Sequence, residues 1–238
     1  TMEGGGIGAA LIFNLAQIAD PNLRLAISHA VDPSVINQAI FFNRNTMADS
    51  GMWPTGAWAH DDDVTRPTYD PEKARALLLA AGKDEFTFTA VTNNSSTLIL
   101  TAEVVRAMLK KVGINMEIEV MNAGVATERF FHGESYPVYL TTWSRYPEPD
   151  WLASLAYKSD GFYNAANLPR PDVDELVARG AASYDLATRR EVYHELNALI
   201  LKEAWFVPLL YSTTYAAAPQ KVRNLDRLIG WDGKMFLR

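Results

Sequence analysis

Between residues 86 and 143 the sequence changes its hydrophobic period four times, and this pattern leaves few architectures open. FTFTAVT (86–92) alternates apolar and polar residues, as a half-buried strand does. A helical stretch over roughly 97–112 follows and closes at Gly113. INMEIEV (114–120) alternates again, a helix over 123–132 ends at Gly133, and PVYLTTW (137–143) reads as a third strand. Strand–helix–strand–helix–strand predicts parallel crossover units with helices packed on a sheet, an α/β fold.

Upstream, three predicted helices start in the same way. Asp20-Pro21, Asp32-Pro33 and Asp70-Pro71 each place an N-cap carboxylate before a proline at the first helical position. The first opens NLRLAISHAV, with Leu23, Ala26, Ile27 and Ala30 on one face. The third opens EKARALLLAAG and stops at Gly82. Residues 43–69 are rich in Asn, Gly, Pro and Asp yet contain Trp53 and Trp58, so they read as an ordered loop whose tryptophans pack on something. After residue 151 come short helical runs and then a long helix from about Leu186 to Glu203, capped by Asp185. WFVPLLYS (205–212) is strand-like but broken by Pro208, which predicts an edge or a crossover point. TMEGGGIG has no periodicity, and residues 1–10 read as a linker or an expression scar.

Composition narrows the function classes. The 238 residues fit one large domain or two small ones. At 48% apolar and 21% charged the chain is an ordinary packed protein. A net charge of −6 disfavours a nucleic-acid surface, which needs clustered Lys and Arg. No cysteine is present, which excludes disulfides, thiolate chemistry and Cys-ligated zinc. No apolar run approaches the roughly 20 residues of a membrane span.

The stretch with the most chemistry is TTWSRYPEPDW (141–151), where aromatic rings, a cation and two carboxylates follow the third strand. Glu148 and Asp150 form a candidate glycosidase pair, but such enzymes hold their carboxyls roughly 5 Å apart or further, and two positions in a Pro-rich loop fix neither distance nor direction. Asp150 also reads as the N-cap of the following helix. Trp143 ends a strand of an open α/β sheet, at the edge where such sheets bind ligands, and is either core or a ligand contact. Tyr146 is either packing or a contact. Arg145 is a surface residue, a structural ion pair or a ligand anchor, since an unpaired buried guanidinium is costly. His60 beside Asp61, Asp62 and Asp63 is either a hard-cation site or an acidic turn. No nucleophile elbow, phosphate loop or dinucleotide fingerprint occurs, and no cofactor is expected.

Several segments in order resemble one family, the extracytoplasmic solute-binding proteins of ABC importers in the dipeptide, oligopeptide, nickel and opine group (family 5). LIFNLAQIADPNLRLAISHAVDPSVI is similar to the stretch after the hinge. MWPTGAWAHDDD resembles the Pro-x-Gly-x-Trp loop, YDPEKARALLLAAG the family's Tyr-Asp-Pro-Glu-Lys-Ala helix, and TTWSRYPEPD the Trp-x-x-x-x-Pro-Asp-Pro region. RPDVDELV and TRREVYHELNALILKEAWFVPLLY resemble the closing helices and a Pro-Leu strand.

The resemblance implies a type II periplasmic-binding-protein-like lobe, a mixed sheet flanked by helices, that binds solute without turnover. Residues 11–218 would be the second lobe and 219–238 a tail returning to a first lobe that the chain lacks. The implied ligand-binding residues are Trp53, Trp143, Ser144, Arg145, Tyr146 and Asn164. Peptide binders of the family carry an Asp just after the Trp; here Arg145 stands in that region, which favours an anionic or zwitterionic small solute, such as a modified peptide or an opine-like compound. The implied partners are that solute, a membrane permease and the first lobe, on the extracytoplasmic face of a bacterial membrane. The isolated lobe is expected to self-associate if Trp53, Trp58 or Trp143 forms an exposed apolar patch.

Overall fold

The computed structural model describes residues 2–48, 51–54, 56–133, 136–144, 146, 148–165, 167–215 and 219, without the side chains of 2–5 and 214. Six strands form one mixed sheet in the order β2-β6-β1-β5-β3-β4. They are β1 (Met2–Phe13), β2 (Thr46–Met47), β3 (Phe86–Asn93), β4 (Ile114–Met121), β5 (Val138–Trp143) and β6 (Phe206–Thr214). The predicted crossover units are present. β3 runs parallel to β4 from Phe86↔Ile114 to Asn93↔Met121 and parallel to β5 from Ala90↔Val138 to Thr92↔Leu140. The connecting helices are α4 (Ser96–Lys110) and α5 (Ala123–Phe131).

One expectation is overturned. Residues 2–10 are not a linker but most of β1, which lies inside the sheet and pairs antiparallel with β5 and β6. The run of glycines hides a strand because it lacks the β-branched and aromatic residues that mark one. The pairing is irregular, with register shifts against β6 between Glu3 and Ile7, between Ile7 and Ala9, and between Ala9 and Ala10. Glycine tolerates such bulges. Pro208 sits at one of them: Ala9 pairs with Leu210 and Ala10 with Pro208, so Leu209 has no partner across.

Helices cover both faces. α1 (Pro21–Ala30), α2 (Pro33–Phe41), α3 (Pro71–Ala80) and α4 bury Leu23, Ala26, Ile27, Ile36, Leu78 and Leu109 against Leu11, Phe88, Ile114 and Leu140 of the sheet. α6 (Pro149–Ala156), α7 (Pro171–Ala182) and α8 (Leu186–Lys202) cover the other face with Leu152, Val177, Leu196 and Ile200. The predicted caps form: Asp20, Asp32, Asp70 and Asp185 accept from the amides of Asn22, Ser34, Lys73 and Thr188, satisfying donors that the first helical turn leaves unpaired. Asp150 is not a cap. Glu148 holds the N-cap position of α6, Pro149 begins the helix, and Asp150 lies in its first turn, where its charge suits the helix dipole.

A buried guanidinium ties the first helix to the far end of the chain. Arg24, 3% exposed, donates to the carbonyls of Ile18, Ala19 and Glu203 at 2.7, 2.9 and 2.9 Å and lies 3.7 Å from the Glu203 carboxylate. No helix among the described residues is long and apolar enough to cross a membrane.

Candidate functional site

Because β3, β4, β5 and β6 all run one way and β1 runs against them, one edge of the sheet gathers their carboxyl ends with the start of β1. On β5 the two-residue period puts Tyr139, Thr141 and Trp143 on one face. α5 crosses that face and adds Thr127 and Phe131. The loop after α6 returns Tyr163 to the same place. Together with Ser144 and Tyr146 these residues line an open cavity of about 130 Å³ at the end of β5.

Ring contacts set the shape of the wall. Trp143 lies edge-on to Tyr163 and to Phe131, with centroids 5.0 and 6.1 Å away. Tyr163 packs on Phe131 at 4.8 Å, and Phe162 stacks against both Tyr163 and His132. Such edge-to-face pairs are worth about 0.5–1.5 kcal/mol each beyond their burial, so the wall is stiff. Two polar atoms stand out. The Trp143 indole Nε1 is buried with no hydrogen-bond acceptor among the described residues, and burial, with the neighbouring Tyr163, pushes the Tyr146 hydroxyl above its ordinary value. The described lining contains no Asp, Glu, Lys, Arg or His, only aromatic rings and hydroxyl side chains.

The six residues singled out in the sequence fall into different places. Trp143, Ser144 and Tyr146 meet in this cavity. Trp53 does not join them there. It is 3% exposed and packs on Tyr193 at 5.9 Å, and it lines only a slot of about 20 Å³ beside the cavity, which Ser144 and Tyr146 also border. Trp53 therefore backs the wall and adds nothing to an exposed patch; Trp58 and Trp143 are half-buried. Asn164 does not line the cavity either. Its amide nitrogen lies 3.2, 3.2 and 3.1 Å from the carbonyls of Lys158, Ser159 and Leu168, closing the loop that presents Phe162 and Tyr163. Arg145 lies outside the described residues, as does the tail beyond Pro219.

The structure adds Thr127, Phe131, Tyr139 and Tyr163, which sequence reasoning missed. The alternation of β5 was enough to find Tyr139. Tyr163 gave no periodic signal, because a loop carries it.

The carboxylates near the cavity have protein partners. Glu148 forms an ion pair with Arg189, and Asp150 accepts from the Tyr193 hydroxyl at 3.3 Å. Arg189 also lies over the rings of Trp58 and Tyr193. His60, Asp61 and Asp62 are likewise engaged. The His60 ring faces the Trp53 carbonyl and the Asp62 carboxylate, and His194 stands 3.3 Å from Asp61. Among the described residues no group of three His, Cys, Asp or Glu is placed to hold a metal ion.

Residues 3–164 match the family described as bacterial extracellular solute-binding proteins, family 5 middle. The chain is 29% identical over 213 residues to the probable di/tripeptide-binding protein 5 of Pseudomonas aeruginosa, covering 86% of this chain and 40% of that protein. It is 26% identical over 238 residues to the peptide transport periplasmic protein SapA of Salmonella typhimurium, covering 94% and 43%. It superposes with a TM-score of 0.78 and 25% identity on the Helicobacter pylori periplasmic binding protein DppA, solved in complex with the peptide STSA, over 88% of this chain and 42% of that one. The chain thus spans about two fifths of the length of the curated relatives it matches.

Proposed function

Because the chain belongs to the bacterial extracellular solute-binding proteins of family 5, we propose that it is one lobe of the substrate-binding component of an ABC importer, working on the extracytoplasmic face of the membrane. The observation that carries the proposal is the aromatic cavity at the carboxyl end of β5, walled by Phe131, Tyr139, Trp143, Tyr146 and Tyr163. It is concave, and its described lining is aromatic rings and hydroxyls, which suits capture and release of a solute. Glu148 and Asp150 are held by Arg189 and Tyr193, a structural use that argues against a hydrolytic pair.

The solute is a small peptide-like compound, zwitterionic or anionic. Its uncharged body rests on the aromatic wall, and Arg145, next to Ser144 in sequence, anchors a carboxylate or phosphate. A first lobe supplies the opposite wall, and a membrane permease receives the loaded protein. The relatives named for peptides support the peptide-like class.

The test is calorimetric titration of the two-lobed protein with di- and tripeptides and with anionic peptide conjugates. Saturable binding of at least one is expected, with affinity lost in Arg145→Ala. No binding across the panel overturns the solute class. Binding that is indifferent to Arg145→Ala for every anionic solute removes the anchor.

A further inference from the structure

A second concavity lies apart from the cleft and shares no lining residue with it. It is an open groove of about 540 Å³ between α1, α3, α8 and the loop 63–68. Arg66 lines it from the loop, Lys73 from α3, Lys202 from α8 and His29 from α1, against a single carboxylate, Asp63. On a chain of net charge −6 this local excess of cations is unusual. Neither Lys73 nor Lys202 forms an ion pair among the described residues.

His29 gives the groove a direction. It is 5% exposed, and its Nδ1 lies 2.7 Å from the Thr68 carbonyl, so this nitrogen carries a proton and donates. The remaining nitrogen, Nε2, has no partner among the described residues and belongs to a ring that lines the groove. In the neutral imidazole Nε2 is a bare lone pair on a ring that lines the same groove as Arg66, Lys73 and Lys202. Protonated, it becomes a fourth donor into the same space. Burial, with Lys73 and Arg66 nearby, holds the His29 imidazolium below its ordinary pKa, and the hydrogen bond to the Thr68 carbonyl and the charge of Asp70 oppose this. A negative charge delivered among Arg66, Lys73 and Lys202 would reverse that balance.

We propose that this groove is a second binding site, for a small dianion such as a phosphate group or a dicarboxylate, and that filling it draws a proton onto His29. The cations supply the charge, and the imidazolium supplies a directed hydrogen bond that switches on as the pH falls. Occupancy therefore grows in mildly acidic medium, without any change at the aromatic cleft.

Sulfate is the first probe, because its charge is constant across the titration of histidine; succinate then distinguishes a dicarboxylate from a tetrahedral anion. The chain has four histidines, and ring NMR with His29→Gln assigns the one concerned. Sulfate, and not chloride at matched ionic strength, is expected to raise the His29 midpoint by roughly one pH unit. Lys73→Gln and Lys202→Gln, both at exposed positions, are each expected to weaken sulfate binding roughly threefold near pH 6. A His29 midpoint that sulfate and chloride move equally overturns the proposal. So does a double lysine variant that binds sulfate as the parent does, and this second readout holds even if His29→Gln fails to fold. Neither depends on a solute in the cleft, so the outcome is independent of the reading of the chain as an importer lobe.

Discussion

The indole of Trp143 stands edge-on to the phenol ring of Tyr163, with centroids 5.0 Å apart and planes inclined at 74°. One ring ends a strand and the other arrives on a loop 20 positions later. Their contact is what turns the end of β5 into a wall.

Removing either ring should therefore open the wall. In the two-lobed protein, Trp143→Ala and Tyr163→Ala are each expected to lower solute affinity roughly tenfold. Trp143→Phe keeps an edge contact but loses the unpartnered indole N–H, and should fall between. Titration calorimetry checks the order. Equal affinity in all three variants would show that solute does not touch this wall.

Arg24 should be among the residues most sensitive to substitution. Arg24→Met leaves the Ile18, Ala19 and Glu203 carbonyls without their donor. A loss of about 3 kcal/mol is expected in urea denaturation. A loss under about 1 kcal/mol would mean that water replaces the guanidinium at no cost.

Gly51 is a second sensitive point, for a backbone reason. Its φ is +91°, and an added Cβ would lie 2.3 Å from Asn197 Oδ1. Its carbonyl accepts from the Tyr211 hydroxyl at 2.8 Å, fastening the tryptophan loop to β6. Gly51→Ala is expected to cost at least about 2 kcal/mol. Thermal melts decide this, and an unchanged melting temperature would rule it out.

The pH dependence of stability follows from groups whose folded state resists or favours charge. His29 has a folded pKa below its unfolded value of 6.5, so the folded chain binds fewer protons. Stability from this group is complete above pH 6.5 and declines as the pH falls below it. Asp174, held low by the hydroxyl and amide of Ser159, acts in a separate window below its unfolded 3.8. Melting temperature should stay level above pH 6.5 and fall as the pH drops below it. His29→Gln should flatten that upper step and keep the lower one. The same upper step in the variant would assign it elsewhere.

Much of the framework was readable in advance because its signals are local. The Asp-Pro starts at 20, 32 and 70, the glycine at 82 and the alternation from 86 to 143 act over a few residues. β1 was not readable. Its glycines carry no periodicity, and its place in the sheet comes from β5 and β6, more than 120 positions away. The site divides in the same way. Trp143, Ser144 and Tyr146 lie together in sequence and meet in the cavity. Tyr163 and Phe131 reach it only through the packing of α5 and of the loop closed by Asn164. The resemblance implied Trp53 as a contact, whereas its loop position predicted packing, and Tyr193 and the helices behind it draw the ring into the core. Asp150 looked like a cap, but Pro149 starts the helix two residues earlier than that reading requires, and Glu148 takes the N-cap position.

The pairing of Met2 with Thr214 and of Glu3 with Thr213 also has a mechanical consequence. A tension applied at those two ends falls on one rung at a time, across the hydrogen bonds rather than along the strands. The ribbon then parts like a zipper, while the parallel β3–β4 pairing on the far side of the sheet bears no load. The sheet thus has a compliant corner where the start of β1 meets the end of β6, set apart from the parallel pairing of β3 and β4.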